Sequence, residues 1–232
     1  MIKGIMFDMG GTLINVKLKK DVDVFLFQHL QDKSIKYEVF HEVFNRFLQD
    51  TLNVRTTFDI KCIDFFNAIL KYFNTSFDID INELELMYTH ALFEWSLVDD
   101  IVAVLDKCKK EGLKMIVLSN TFFSRNAICM ILKEFDLLKY FDDVLVSSEA
   151  LVRKPSPLFF EIGLNNMKMD KNDVVYVGND YQFDYMGCLM TGLRIIFYNH
   201  KKYQEYELFE TCKEIKDYKE LLVEGNKICQ IF

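Results

Sequence analysis

Four separated stretches place chemically capable side chains where short apolar runs end. In FDMGGTL, Asp8 follows Ile5, Met6 and Phe7 and precedes Gly10, Gly11 and Thr12. In VLSN, the run closes on Ser119 and Asn120. RKPSPLFF carries Arg153 and Lys154 ahead of Pro155, and VGNDYQFD carries Asn179, Asp180 and, four residues on, Asp184. A carboxylate, a hydroxyl, an ammonium and a second carboxylate, in that order, exceed what chance puts at strand ends. Alone, Ser119 or Asp184 would be an ordinary helix or turn cap; only the set raises them. Glycines beside such groups let the backbone approach a ligand closely.

The surrounding elements explain why these groups would meet. Apolar runs at 2–7, 114–118, 144–147, 174–177 and 194–197 read as strands. Helical patterns separate them at 99–111, 125–135, 157–165 and 183–190, with Gly112 and Gly192 just past two helix ends. Ser156 can cap a helix and Pro157 suits its first turn. Strands alternating with helices imply an α/β, Rossmann-like parallel sheet with helices on both faces. In such sheets ligands bind at the carboxyl ends of the strands, which is where the four stretches fall.

Residues 15–96 interrupt the alternation. Spacings of three and four run through Val39, Phe40, Val43, Phe44, Phe47 and Leu48, and through Cys62, Ile63, Phe66, Ile69, Leu70 and Phe73. A third stripe joins Leu84, Met87, Tyr88, Ala91 and Trp95. These predict amphipathic helices packed on each other. The expected organisation is a core of residues 1–14 and 97–232 with an α-helical cap of residues 15–96. The tail from residue 201 shows one helical pattern, at 218–222, and no motif.

Composition limits the partners. The chain has 232 residues, half of them apolar, and a net charge of −7. That suffices for a large core and argues against a nucleic-acid binder, which would present a basic face. No run approaches the roughly 18 apolar residues of a membrane span. The N-terminus has no signal-peptide pattern. The six cysteines form no Cys-x-x-Cys pair and the four histidines show no metal-ligand spacing, so reduced thiols in a cytoplasmic protein are expected.

The four stretches, in this order, resemble the motifs of the haloacid dehalogenase-like (HAD) hydrolase superfamily, with a small helical cap between motifs one and two. The resemblance implies an aspartyl-phosphate mechanism with Asp8 as nucleophile. It implies Mg²⁺ held by Asp8, the main-chain carbonyl of Gly10 and Asp180, with Asn179 and Asp184 as further candidates for the metal shell. Asp184 could alternatively pair with Lys154. Ser119, Asn120, Thr12 and the amides of Gly10 and Gly11 would bind the phosphoryl group, and Lys154 would offset its charge. The substrate would be a small phosphorylated metabolite.

One feature departs from the family pattern. Most phosphatases of the family carry a second Asp two residues after the nucleophile, as general acid and base; here that position is Gly10. Such proton transfer is worth about 10²–10⁴-fold in rate. Three readings follow: a phosphatase of substrates with good leaving groups (acyl, aryl or anomeric phosphates), a related dehalogenase or phosphonate-cleaving chemistry, or a phosphate- and metal-binding protein with little turnover. The family's dehalogenases carry Tyr at this position, which is missing here, and the phosphonate reading needs a cap lysine, such as Lys36 or Lys61.

Overall fold

The computed structural model describes residues 1–19, 22–54, 58–200, 203 and 209–232. Its centre is a six-stranded parallel sheet. The strands are β1 (Gly4–Phe7), β4 (Lys114–Ser119), β5 (Asp143–Val146), β6 (Val174–Gly178), β7 (Arg194–Tyr198) and β8 (Cys212–Ile215). Their order is β5-β4-β1-β6-β7-β8. β1 is therefore central, and the chain leaves it to build first one side and then the other. Phe7 pairs with Val117 on one flank and Val177 on the other. Asp8 is thus delivered between the ends of β4 and β6, with its amide donating to the Val177 carbonyl.

The inner strands are buried on both faces, which is why they read as unbroken apolar runs. Side chains alternate between two packed layers. Ile5, Phe7, Met115, Val117, Val175 and Val177 face the helices α5 (Ile101–Lys110) and α6 (Arg125–Glu134). Met6, Ile116, Leu118, Val174 and Tyr176 face α8 (Pro157–Met167) and α9 (Met186–Thr191). β8 lies in the tail and was not expected. Its four residues, CKEI, mix charged and apolar side chains and give no apolar run. The helical pattern at 218–222 is a short 3-10 turn, Tyr218–Leu221.

Among the described residues, four helices fall within the interval 15–96: α1 (Val22–Gln28), α2 (Tyr37–Val54), α3 (Cys62–Phe73) and α4 (Ile81–Leu92). Phe40, Phe44, Phe66, Ile69, Leu84 and Tyr88 are buried between them. Val39 and Met87, expected in the same stripes, are exposed at 48% and 41%. The helical pattern does not extend over the whole interval. At its ends β2 (Ile14–Leu18) and β3 (Phe93–Leu97) pair as an antiparallel ribbon, from Ile14 opposite Leu97 to Leu18 opposite Phe93. Trp95, read as helical, sits in β3 opposite Val16. The two strands are short and far apart in sequence. Their pairing is a tertiary fact that a local period cannot show.

Hydrogen bonds tie the helical segment to the sheet layer. Buried Glu85 on α4 accepts from the Ser124 amide (2.9 Å) and hydroxyl (2.6 Å), at the start of α6. The Cys62 amide, opening α3, donates to the Phe122 carbonyl at 2.8 Å. Ser156 occupies the cap position of α8, with Pro157 in its first turn, but makes no side-chain cap bond. The six cysteines are all free thiols, and among the described residues no helix is long and apolar enough to cross a membrane.

Glu85→Ala removes both acceptors and leaves the Ser124 amide unsatisfied in a part-buried site. The expected loss is about 2 kcal/mol of unfolding free energy, read from urea denaturation at constant m-value.

Candidate active site

The four motifs converge at the carboxyl end of β1. The centre is the Lys154 ammonium, 2% exposed. It donates to Asp8 Oδ1 at 2.7 Å, Asp184 Oδ1 at 2.8 Å and the Tyr176 hydroxyl at 2.7 Å. A lysine ammonium has three protons, so all three are placed. Tyr176 in turn donates to Asp184 Oδ1 at 3.0 Å. Asp184 Oδ2 accepts from the amides of Asn179 (3.0 Å) and Asp180 (2.9 Å). Gly178 makes this possible: a Cβ there would fall 2.6 Å from the Asp184 carboxyl carbon.

Asp8 is held from both sides. Its second oxygen accepts from the Thr12 hydroxyl at 3.1 Å. Burial raises its pKa, Lys154 pulls it back and Asp184 raises it again, and the balance stands at about 6. Burial also works against the Lys154 ammonium, but Asp184 and Asp8 outweigh it and hold its pKa above the ordinary lysine value. Burial, then the two carboxylates, drive the Tyr176 phenol upward, so it stays protonated as a donor.

Lys154 is positioned by its own backbone. Its amide donates to Asn120 Oδ1 at 2.8 Å, and Asn120 Nδ2 returns a bond to the Lys154 carbonyl at 2.9 Å. The loop after β4 and the segment before α8 are thereby locked together. Asn120 also borders the cleft.

A cleft of about 300 Å³ opens over these groups. Asp8, Gly10, Ser119, Asn120, Lys154, Asn179, Asp180 and Asp184 all border it. Gly11 and Thr12 do not. The Gly11 amide donates to the Ile14 carbonyl at 2.8 Å, and Thr12 is fully buried beneath Asp8. Gly11 has φ +77°, and a Cβ would meet Asn179 Nδ2 at 2.1 Å, so the turn demands glycine. Gly10 is different. A Cβ there would meet only Val16 Cγ2, at 3.7 Å, leaving room for a side chain.

The metal candidates divide in the same way. Asp180 Oδ1 caps the π-type turn Tyr181–Tyr185, accepting from Gln182 and Phe183 amides at 2.9 Å. Both oxygens of Asp184 accept two bonds each, from Lys154 and Tyr176 and from the amides of Asn179 and Asp180. Asn179, 2% exposed, lies over Gly11, and its buried Nδ2 has no hydrogen-bond partner. Among the described residues no three His, Cys, Asp or Glu side chains cluster as a metal cage.

Several residues in or beneath the cleft had no role assigned from the sequence. Tyr176 was hidden in the apolar run of β6, where a tyrosine reads as a packing residue. Arg153 lies over the Phe183 ring at 5.1 Å, with Nε 3.5 Å from Asp59 Oδ2. The outer wall is aromatic: Trp95, Phe93, Phe123 and Phe122 form a chain of ring contacts with centroids 5.3, 6.2 and 4.3 Å apart. Neither Lys36 nor Lys61 borders the cleft, and both are exposed. The support for a phosphonate-cleaving chemistry is lost with them.

A family model for haloacid dehalogenase-like hydrolases matches residues 2–189. The chain belongs to this family. A haloacid dehalogenase-like hydrolase domain-containing protein 3 from Xenopus laevis is 36% identical over 99 residues, covering 43% of this chain and 39% of that protein. The chain thus spans about two-fifths of that relative's length. A glyceraldehyde 3-phosphate phosphatase from Methanocaldococcus jannaschii is 26% identical over 220 residues, 89% of each chain. The crystal structure of a HAD phosphatase from Thermococcus onnurineus shares the fold, with a TM-score of 0.65 at 22% identity over 97% of this chain and 99% of that one. The protein is therefore a HAD-like hydrolase with the α/β sheet its motifs require.

Lys154→Met keeps the length of the side chain but leaves two buried carboxylates unpaired. The expected cost is about 3–5 kcal/mol, measured by guanidinium unfolding at pH 7.

Proposed function

We propose that this HAD-like hydrolase is a Mg²⁺-dependent phosphatase of a small phosphorylated metabolite, with Asp8 as the nucleophile. The observation that carries the reading is the fixed Asp8 carboxylate, bonded on one oxygen by Lys154 and on the other by Thr12 at the floor of the cleft. Both bonds set its rotation, so an oxygen faces an entering phosphoryl group without a search of rotamers. The phosphatase names of the Methanocaldococcus relative and the Thermococcus structure agree with it. The helical segment of residues 15–96 is proposed as the cap over the core of residues 1–14 and 97–232.

The donor set suits magnesium. Three carboxylates, Asp8, Asp180 and Asp184, border the cleft against Lys154 and an Arg153 turned toward Asp59. That leaves negative charge for a cation to offset. Magnesium binds through one or two carboxylates with water, so no three-residue cage is required. Asp8, the Gly10 carbonyl and Asp180 would hold it, and when bound it would neutralise charge on the phosphoryl oxygens.

The chain's own residues account for the rest. An Asp8 oxygen attacks phosphorus, and the bond from phosphorus to the leaving oxygen breaks. Lys154 stabilises the charge at Asp8, while Ser119 and the buried Asn179 amide offer donors to the phosphoryl oxygens. Water then attacks the acyl phosphate, releasing phosphate and restoring Asp8. With Gly10 in place of an acid, the leaving oxygen departs as an anion and takes its proton from solvent.

Asp8→Asn is expected to abolish turnover of acetyl phosphate, and EDTA to abolish it reversibly on readdition of Mg²⁺. Retained activity in either case rejects the reading. Because a side chain fits at position 10, Gly10→Asp should raise turnover of an alkyl phosphate such as glycerol 3-phosphate by about 10²-fold. No gain would show that more than the acid is missing. Tight binding of phosphate with no turnover of any substrate would favour a binding role.

A further inference from the structure

A second space lies along the helical segment, open to solvent beside Leu18 and Leu52. It measures about 350 Å³ and is bordered by Leu18, Phe44, Leu48 and Phe65 and, toward the sheet, by Phe93 and Phe122. The last two rings also border the Asp8 cleft. The cavity and the cleft therefore meet at one pair of aromatic side chains. The Phe122 carbonyl is fixed by the Cys62 amide at the mouth of α3, so this meeting point is anchored on both sides. Nothing in phosphoryl transfer itself uses an apolar chamber.

An independent observation bears on what could fill it. Gly10 supplies no proton, so the leaving group must depart as a stable anion. A phenolate does so by spreading its charge over the ring, and the same ring is flat and apolar.

We propose that the substrates are aryl phosphates with a bulky, apolar ring system, the phosphoryl group on Asp8 and the rings in the chamber beyond Phe93 and Phe122. The proposal rests on the phosphatase reading and narrows it. The Asp8 oxygen forms its bond to phosphorus; the aryl oxygen keeps the electron pair of the broken ester bond and later takes a proton from water.

The test compares acetyl, phenyl and 2-naphthyl phosphate on the full chain with Mg²⁺. The two phenolates are of similar basicity, so the naphthyl-to-phenyl ratio of kcat/KM reads the chamber and not the chemistry. A ratio of about ten or more is expected. Leu48→Trp fills the chamber away from Asp8 and should bring the ratio near one; Phe65→Trp serves if that chain does not fold. The ratio is unaffected by a general loss of active protein. A ratio near one in the unmodified chain, or one unchanged by the filling variants, overturns the proposal while acetyl phosphate turnover upholds the phosphatase reading. No turnover of acetyl phosphate overturns that reading itself, and the proposal with it.

Discussion

One buried ammonium organises this molecule. Taking Lys154 out of water is costly unless each of its protons finds an acceptor and its charge finds a partner. Asp8, Asp184 and Tyr176 meet both demands. They come from the end of β1, the turn after β6 and the middle of β6, while Lys154 comes from the segment before α8. The ion cluster therefore fixes the relative positions of four chain segments at once. It restricts the alternatives more than it adds net stability, since an apolar filling of equal volume would cost less to bury. What it secures is a carboxylate held in one orientation at the floor of a cleft.

Smaller constraints follow from it. Asp184 can reach Lys154 only because Gly178 carries no side chain, and its other oxygen gathers the amides of Asn179 and Asp180 into a tight turn. The Asp8 carboxylate needs Thr12 beneath it, and Thr12 follows a turn that only Gly11 can make under the Asn179 side chain. The Tyr218 hydroxyl, from the tail, donates to the Thr12 carbonyl at 3.1 Å and braces this turn from behind. Gly10 alone is free of such demands. A Cβ there would meet only Val16 Cγ2, at 3.7 Å.

Much of this was legible in the sequence because it is local. Asp8, Ser119, Lys154 and Asp180 each close or follow an apolar run, and the sheet rule brings strand ends together. The strands themselves read clearly, since two-sided burial leaves unbroken apolar runs. What escaped depends on partners distant in the chain. Tyr176 differs from a packing tyrosine through its bonds with Lys154, 22 residues away, and Asp184. The Gly11 amide and the Thr12 hydroxyl bond Ile14 and Asp8, contacts that the motif alone does not show. The β2–β3 ribbon pairs segments 77 residues apart at Lys17 and Glu94, and its short strands border helices whose period masks them. The aromatic wall was visible as composition, but only the fold separates rings that line a cleft from rings that fill a core.

The central claim is that Asp8 itself carries the phosphoryl group during turnover. Borohydride added to the protein while it consumes acetyl phosphate reduces an acyl phosphate to an alcohol, and peptide mass mapping then locates the residue. The account predicts homoserine at position 8, with Asp180 and Asp184 unchanged. Reduction at another carboxylate, or steady turnover that never yields reduced Asp8, would contradict it.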